Sequence, residues 1–211
     1  MREVWPAIII CGVLGGFFGG SFSTILIYMT RRIANFARRQ PIVLAFACGL
    51  LVSLLGFLSS GDTFGTGYVH ARGLITREEQ TSLMFPVYKY GATMVSYLSG
   101  IPGGIFAPSL SIGAGMGANI AEFFPYVPIA VLVMLGMVGY FTGVVQTPIT
   151  ALIIVMEMTD NSSMLLPLMA TALIAKGVAR WICPTSIYQA MAQTYINIIL
   201  NPQDEKTSKP K

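Results

Sequence analysis

The chain has 211 residues, of which 54% are hydrophobic and 10% charged, against about 25% charged in soluble globular domains. So few charges cannot cover a water-facing surface, which excludes a soluble enzyme with a polar shell, a disordered chain and a nucleic-acid-binding module. The net charge is only +4, and the 13 Lys and Arg residues cluster beside apolar segments, as at a membrane surface rather than a DNA groove.

Stretches free of Asp, Glu, Lys and Arg run over Val4–Thr30, Gln40–Gly61, Tyr90–Ala121, Phe123–Met156 and Trp181–Gln203. Each exceeds the ~20 residues a straight helix needs to cross hydrocarbon. The pattern predicts an all-α polytopic membrane protein, with membrane segments over residues 1–200 and a short polar cytoplasmic tail over 201–211. The first apolar segment is too long for a signal-peptide core and is followed by arginines, so it reads as a retained span. Cys11, Cys48 and Cys183 lie in apolar stretches with no CxxC pair and read as small buried hydrophobes.

In chain order, the first span covers Trp5 to Tyr28 and is dense in glycine. Gly12 with Gly16, or Gly15 with Gly19, offers a small-xxx-small face to another helix. Arg31, Arg32, Arg38 and Arg39 then form the strongest cationic cluster, expected as a cytoplasmic loop by the positive-inside rule. A second span, Pro41 to Leu58, crosses back. A polar Gly-rich stretch follows from Ser59 to Gly67, then an amphipathic part around His70 to Gln80, with His70 expected at a surface or interface. The third span runs from Ser82 to Ser99.

Beyond it the pattern changes. Ser99-Gly-Ile-Pro-Gly-Gly-Ile-Phe-Ala-Pro108 places three glycines and two prolines at membrane depth, and continuous helix does not run comfortably through it. Non-helical backbone is tolerated there only where it is packed in protein or lines an aqueous cavity. Pro108 stands where a new helix would start. Further breaks fall at Phe124–Pro128, Gln146–Pro148 and Asp160–Ser163, before an apolar segment from Met164 to Ile182. Pro184-Thr-Ser186 then caps a helix expected from Ile187 to Leu200.

A helix N-terminus carries unpaired N–H groups and about half a positive charge. Aimed at a cavity in a low-dielectric bundle, it binds an anion without a buried Lys or Arg. Gly103 and Gly104 let backbone approach a ligand, and the helix beyond Pro108 adds its dipole. These residues alone point to a transporter or channel with an anion site near residues 103–106.

Gly104-Ile-Phe-Ala-Pro108 also resembles the GxFxP signature of the CLC chloride channels and proton-coupled chloride transporters. Further similarities follow in that family's order. They are Gly65-Thr-Gly-Tyr68, Gly136-Met-Val-Gly-Tyr-Phe-Thr-Gly-Val-Val-Gln-Thr-Pro148, Glu157-Met-Thr-Asp-Asn161, Leu165-Leu-Pro-Leu-Met169 and Ser186-Ile-Tyr188. The resemblance implies a fold of broken and tilted transmembrane helices, and anion permeation through a homodimer with one pore per subunit. It implies that backbone amides of Ile105 and Phe106 and the Tyr188 hydroxyl hold a chloride, with Gly103, Gly104, Ala107 and Pro108 shaping the loop. Chloride is then the bound ion, and no cofactor is expected.

All these similarities fall in the second of the family's two inverted repeats. A glutamate in a Gly-Lys/Arg-Glu-Gly-Pro loop, which the first repeat should carry, does not occur in the sequence. The chain therefore resembles the C-terminal half of such a protein. Three readings stay open: a chloride-conducting half-pore, a non-conducting half that assembles with a separate N-terminal half, and a different inverted-repeat carrier of anions such as carboxylates. An intramembrane enzyme is disfavoured, because no HExxH, GxSxG or paired acidic motif falls in the spans. A prokaryotic plasma membrane is expected from the short loops.

Two other features have structural readings. Gly113-Ala-Gly-Met-Gly-Ala118 lacks the spacing and preceding strand of a dinucleotide loop and reads as helix packing. Glu157 ends an apolar stretch and is expected to pair with Lys176 or Arg180.

Overall fold

A computed structural model describes residues 4–76, 82–101, 103–190 and 192 of the chain. Among the described residues the regular structure is all helical. The elements are α1 (Val4–Arg39), α2 (Pro41–Leu58), α3 (Tyr68–Thr76), α4 (Phe85–Leu98), α5 (Phe106–Ala121), α6 (Ile129–Val145), α7 (Pro148–Thr159) and α8 (Leu165–Ile182). A 3₁₀ turn at Ser162–Met164 leads into α8, and a further helical stretch begins at Ile187. The expected course of that helix to Leu200 and the polar tail lie outside the described residues.

The fold is organised around α6. Every residue from Leu132 to Val145 is buried, as expected of a helix apolar on all sides and enclosed by other helices. It packs against α1, α5 and α8, and glycines bring these backbones together. The Gly15 and Gly19 face of α1 meets α6, where a Cβ on Gly19 would fall 2.6 Å from the Tyr140 carbonyl oxygen. The Gly12, Gly16 and Gly20 face meets α8, where a Cβ on Gly16 would fall 2.5 Å from the Ala175 carbonyl oxygen. Both small-residue faces of the first span are thus used, each against a different helix. Gly113 and Gly117 of α5 likewise lie on Gly136 of α6, so the glycine-rich 113–118 run is a packing surface.

Helices α1, α2 and α8 are each long and apolar enough to cross a membrane, while α6 and α7 are shorter apolar helices. The outer face of α2 is bare: Ile42, Phe46 and Phe57 are each more than 70% exposed. That face suits lipid or another membrane segment rather than water.

Two expectations change. The arginine cluster is not a loop: α1 runs 36 residues through Arg31 and Arg32 to Arg39, about 54 Å at 1.5 Å per residue. Residues 31–39 contain neither Gly nor Pro, so nothing ends the helix before Gln40 and Pro41. The basic end also suits the negative pole of the helix dipole. Secondly, Glu157 is exposed at the end of α7 and forms no ion pair with Lys176 or Arg180. An exposed acid at a helix end is solvated without a partner. Cys11, Cys48 and Cys183 are buried and free, as expected. His70 is half-buried, its ring 5.2 Å from that of Phe85.

Polar side chains fasten the breaks between helices. Gln146 ends α6 in the left-handed region, with φ of 58°, and its Nε2 donates to the Cys183 carbonyl oxygen at 2.6 Å. Ser23 Oγ of α1 donates to the Val144 carbonyl oxygen at 3.0 Å. Both acceptors lie at the end of a helix, where carbonyls lack an intrahelical partner.

Candidate functional site

The break at membrane depth starts where α4 ends at Ser99. The Ser99 hydroxyl donates to the Ser96 carbonyl at 2.6 Å and accepts the Ile101 N–H at 3.3 Å. Gly100 takes φ of 79° and turns the chain. Helix α5 then begins at Phe106, with Ile105 as its cap residue. The expected start at Pro108 is thus late by two residues, and Pro108 sits third in the first turn. Proline is tolerated there because an N–H at that position would lack an intrahelical acceptor anyway. The Ile105 carbonyl accepts the Ser109 N–H at 3.0 Å. Among the described residues nothing accepts the N–H groups of Ile105 and Phe106.

Among the described residues no packing demand explains Gly103 and Gly104. A Cβ on Gly104 would meet no described residue within 4 Å, and one on Gly103 only the Ile101 carbonyl oxygen at 4.0 Å. Both border a cavity of about 540 Å³, together with Ile105, Ala107 and Pro108. The other walls come from α2, the turn at residues 63–66 and α4. The interrupted backbone therefore lines an open space, the circumstance in which it is stable inside a membrane protein.

The structure brings Tyr188 to the same place from the far end of the chain. Its ring stands edge-on to Phe106, with centroids 5.8 Å apart and an interplanar angle of 89°. Phe106 in turn packs at 75° against Phe141 of α6, with centroids 5.1 Å apart. Such edge-to-face contacts hold rings in a defined orientation. The Tyr188 hydroxyl has no hydrogen-bond partner among the described residues. Tyr188 does not line the 540 Å³ cavity; it reaches the loop through Phe106 instead. The expected set of Gly103, Gly104, Ile105, Phe106, Ala107, Pro108 and Tyr188 thus converges on one end of α5, along two sides of it.

One residue at this site escapes the sequence reading. Lys89 of α4 is 2% exposed and borders the cavity. A lone cation within the 82–99 span was the available signal, since an ionisable residue in a membrane helix marks a functional position by default. It was hidden because a charge reads first as the end of an apolar stretch.

Chemically, the end of α5 can hold a small anion. It offers peptide N–H groups, the positive pole of a 16-residue helix and a phenol donor. Among the described residues no group of three or more His, Cys, Asp or Glu is placed to hold a metal ion.

Comparison with known proteins agrees with this architecture. The sequence model of the voltage gated chloride channels matches residues 2–180. The H(+)/Cl(-) exchange transporters ClcA of Yersinia pestis bv. Antiqua (strain Angola) and of Yersinia pseudotuberculosis serotype O:3 (strain YPIII) are each 27% identical to it over 201 residues. Those alignments cover 90% of this chain and 42% of each relative. The crystal structure of a CLC-type fluoride/proton antiporter superposes with a TM-score of 0.77 at 24% identity, covering 90% of this chain and 47% of that one. The chain therefore spans less than half the length of these relatives, and at that identity the superposition speaks for the fold. With an all-helical fold built on broken apolar helices and a family match over most of its length, the chain is an integral membrane protein that belongs to the voltage-gated chloride channel (CLC) family.

Proposed function

We propose that the chain supplies the second-repeat half of a halide permeation pathway and holds the permeating anion at the start of α5. The amides of Ile105 and Phe106 supply the partial positive charge, and the Tyr188 hydroxyl adds one directed hydrogen bond. The role is permeation rather than catalysis, and it needs no cofactor beyond the ion itself. The observation that supports this best is the convergence of an interrupted helix start, an open cavity and the ring of Tyr188 on Phe106. The printed functions of the relatives, H(+)/Cl(-) exchange in ClcA and fluoride/proton antiport in the solved structure, make chloride and fluoride the first ions to test. Proton coupling, voltage gating and a homodimer with one pore per subunit are carried over from the family as part of the same reading.

A second reading is favoured by the 42% coverage of the relatives: the chain conducts only when joined to an N-terminal half. The bare α2 face, with Ile42 and Phe57 over 80% exposed, provides a surface for such a half. Reconstitution into chloride-loaded liposomes separates the readings. Efflux from the chain alone supports a self-sufficient pore; efflux only when an N-terminal half is co-expressed supports the second. Uptake of carboxylates without chloride flux in either arrangement would instead indicate a different anion carrier.

A further inference from the structure

The last turns of α1 carry four exposed arginines, Arg31, Arg32, Arg38 and Arg39. At 3.6 residues per turn they share an arc of about 120° of the helix. Neither Asp nor Glu occurs between Val4 and Gly61, and none of the four forms an ion pair with a described residue. This face is cationic with no compensating acid on its own helix or on α2.

The depth of the face follows from α2. Gln40 alone separates the two helices. Helix α2 has 18 residues and no charge among them, and at 1.5 Å per residue it spans about 27 Å, close to the ~30 Å of hydrocarbon in a bilayer. Ile42 and Phe46, in its first two turns, are 82% and 72% exposed, and side chains so bare suit acyl chains rather than water. The start of α2 therefore sits at the edge of the hydrocarbon, which sets Arg38 and Arg39 among the headgroups. Arg31 and Arg32 lie about 12 Å back along α1, a depth from which long cationic side chains snorkel to the same layer.

We infer that the junction of α1 and α2 is a binding site for an anionic phospholipid, its phosphate held by the arginine face and its acyl chain laid on Ile42 and Phe46. A guanidinium pairs with a phosphate through two parallel N–H···O bonds. Several guanidinium groups without an acid favour a lipid of net negative charge over a zwitterionic one, whose ammonium they repel. Free phosphate would satisfy the arginines but leave the apolar side chains bare, so the two parts of the site together specify a lipid.

Phosphatidylglycerol, phosphatidylcholine and inorganic phosphate are the probes. The purified protein, with any half that co-purifies, is titrated with each lipid in detergent, and bound lipid is counted by native mass spectrometry. Phosphatidylglycerol should bind at least about tenfold more tightly than phosphatidylcholine, and excess inorganic phosphate should not displace it. Each arginine near an anionic surface is worth roughly fivefold in affinity. Arg38→Gln combined with Arg39→Gln should therefore weaken phosphatidylglycerol binding about twentyfold, while Arg38→Lys combined with Arg39→Lys keeps most of it. Arg180→Gln, which removes an exposed arginine from the last turn of α8, should stay within about twofold of wild type. Equal affinity for the two lipids, or an equal loss in Arg180→Gln, overturns the site. Displacement by inorganic phosphate would make it an anion site without a lipid, and loss of lipid wherever an N-terminal half co-purifies would give this face to protein; either result overturns the proposal. Should the double glutamine variant fail to fold, Arg32→Gln decides, with an expected loss of about fivefold.

Discussion

The ring of Tyr188 stands at 89° to the ring of Phe106, with centroids 5.8 Å apart. The contact joins residues far apart in sequence, and it sets the phenol beside the first residue of α5. The ring and the hydroxyl therefore have separable tasks. Tyr188→Phe keeps the edge contact and removes the donor. A hydrogen bond to a charged group contributes about 1.5–3 kcal/mol, so halide affinity measured by calorimetry should fall at least about tenfold with the fold intact. Tyr188→Ala should weaken binding further, because Phe106 loses its orienting neighbour. Unchanged affinity in Tyr188→Phe would remove the hydroxyl from the site.

How far the sequence reveals this architecture depends on what limits each element. The range of α2 is legible because Pro41 begins it and polar Ser59 to Asp62 follow it. The end of α1 is not, since the arginines that suggest a loop are themselves good helix formers. The loop at Gly103 to Pro108 is legible from its glycines and prolines, because few backbones tolerate them at that depth. Tyr188 is different: a lone tyrosine near a helix start has many ordinary readings, and only the family resemblance singles it out. Lys89 is visible as a charge, but its bond to a turn 26 residues earlier is a tertiary fact that no local pattern carries.

The glycine seam between α1 and α6 should be intolerant of a single methyl. A Cβ on Gly15 would fall 2.6 Å from the Tyr140 backbone nitrogen, and backbone cannot rotate away as a side chain could. Gly15→Ala should destabilise by about 1–3 kcal/mol, the usual range for overpacking. A Cβ on Gly49 of α2 would meet nothing within 4 Å among the described residues, so Gly49→Ala should be neutral or stabilising by up to about 1 kcal/mol. Thermal unfolding in one detergent, with both variants side by side, provides the check. Equal midpoints for the two would refute the seam.

Two buried serines offer a matched contrast. Ser23 Oγ reaches both the Gly19 and Val144 carbonyl oxygens, at 3.2 and 3.0 Å. Ser109 Oγ is equally buried and has no partner among the described residues. Removing a bonded hydroxyl costs about 1 kcal/mol, whereas removing an unpartnered one releases a desolvation penalty. Ser23→Ala should therefore lower stability and Ser109→Ala should leave it unchanged or raise it. Denaturation midpoints in the opposite order would show that Ser109 is satisfied by a group such as a bound water.

Gly65, in the turn that carries the Lys89 acceptors, and Gly67, just after it, both have left-handed backbone, and they should respond differently to alanine. Gly65 has φ of 68° and open space where a Cβ would stand. Gly65→Ala then bears only the strain of a positive φ, about 1 kcal/mol. Gly67 has φ of 77°, and its Cβ would press on the Ser111 hydroxyl and lie 3.1 Å from Lys89 Cε. Gly67→Ala adds overlap to the same strain, since Ser111 is fully buried and has little room to yield. Its loss of stability should exceed that of Gly65→Ala by about 1–3 kcal/mol. Equal stability losses would mean that the turn moves freely off α5, and the wall it gives the cavity would then be no fixed feature of the protein.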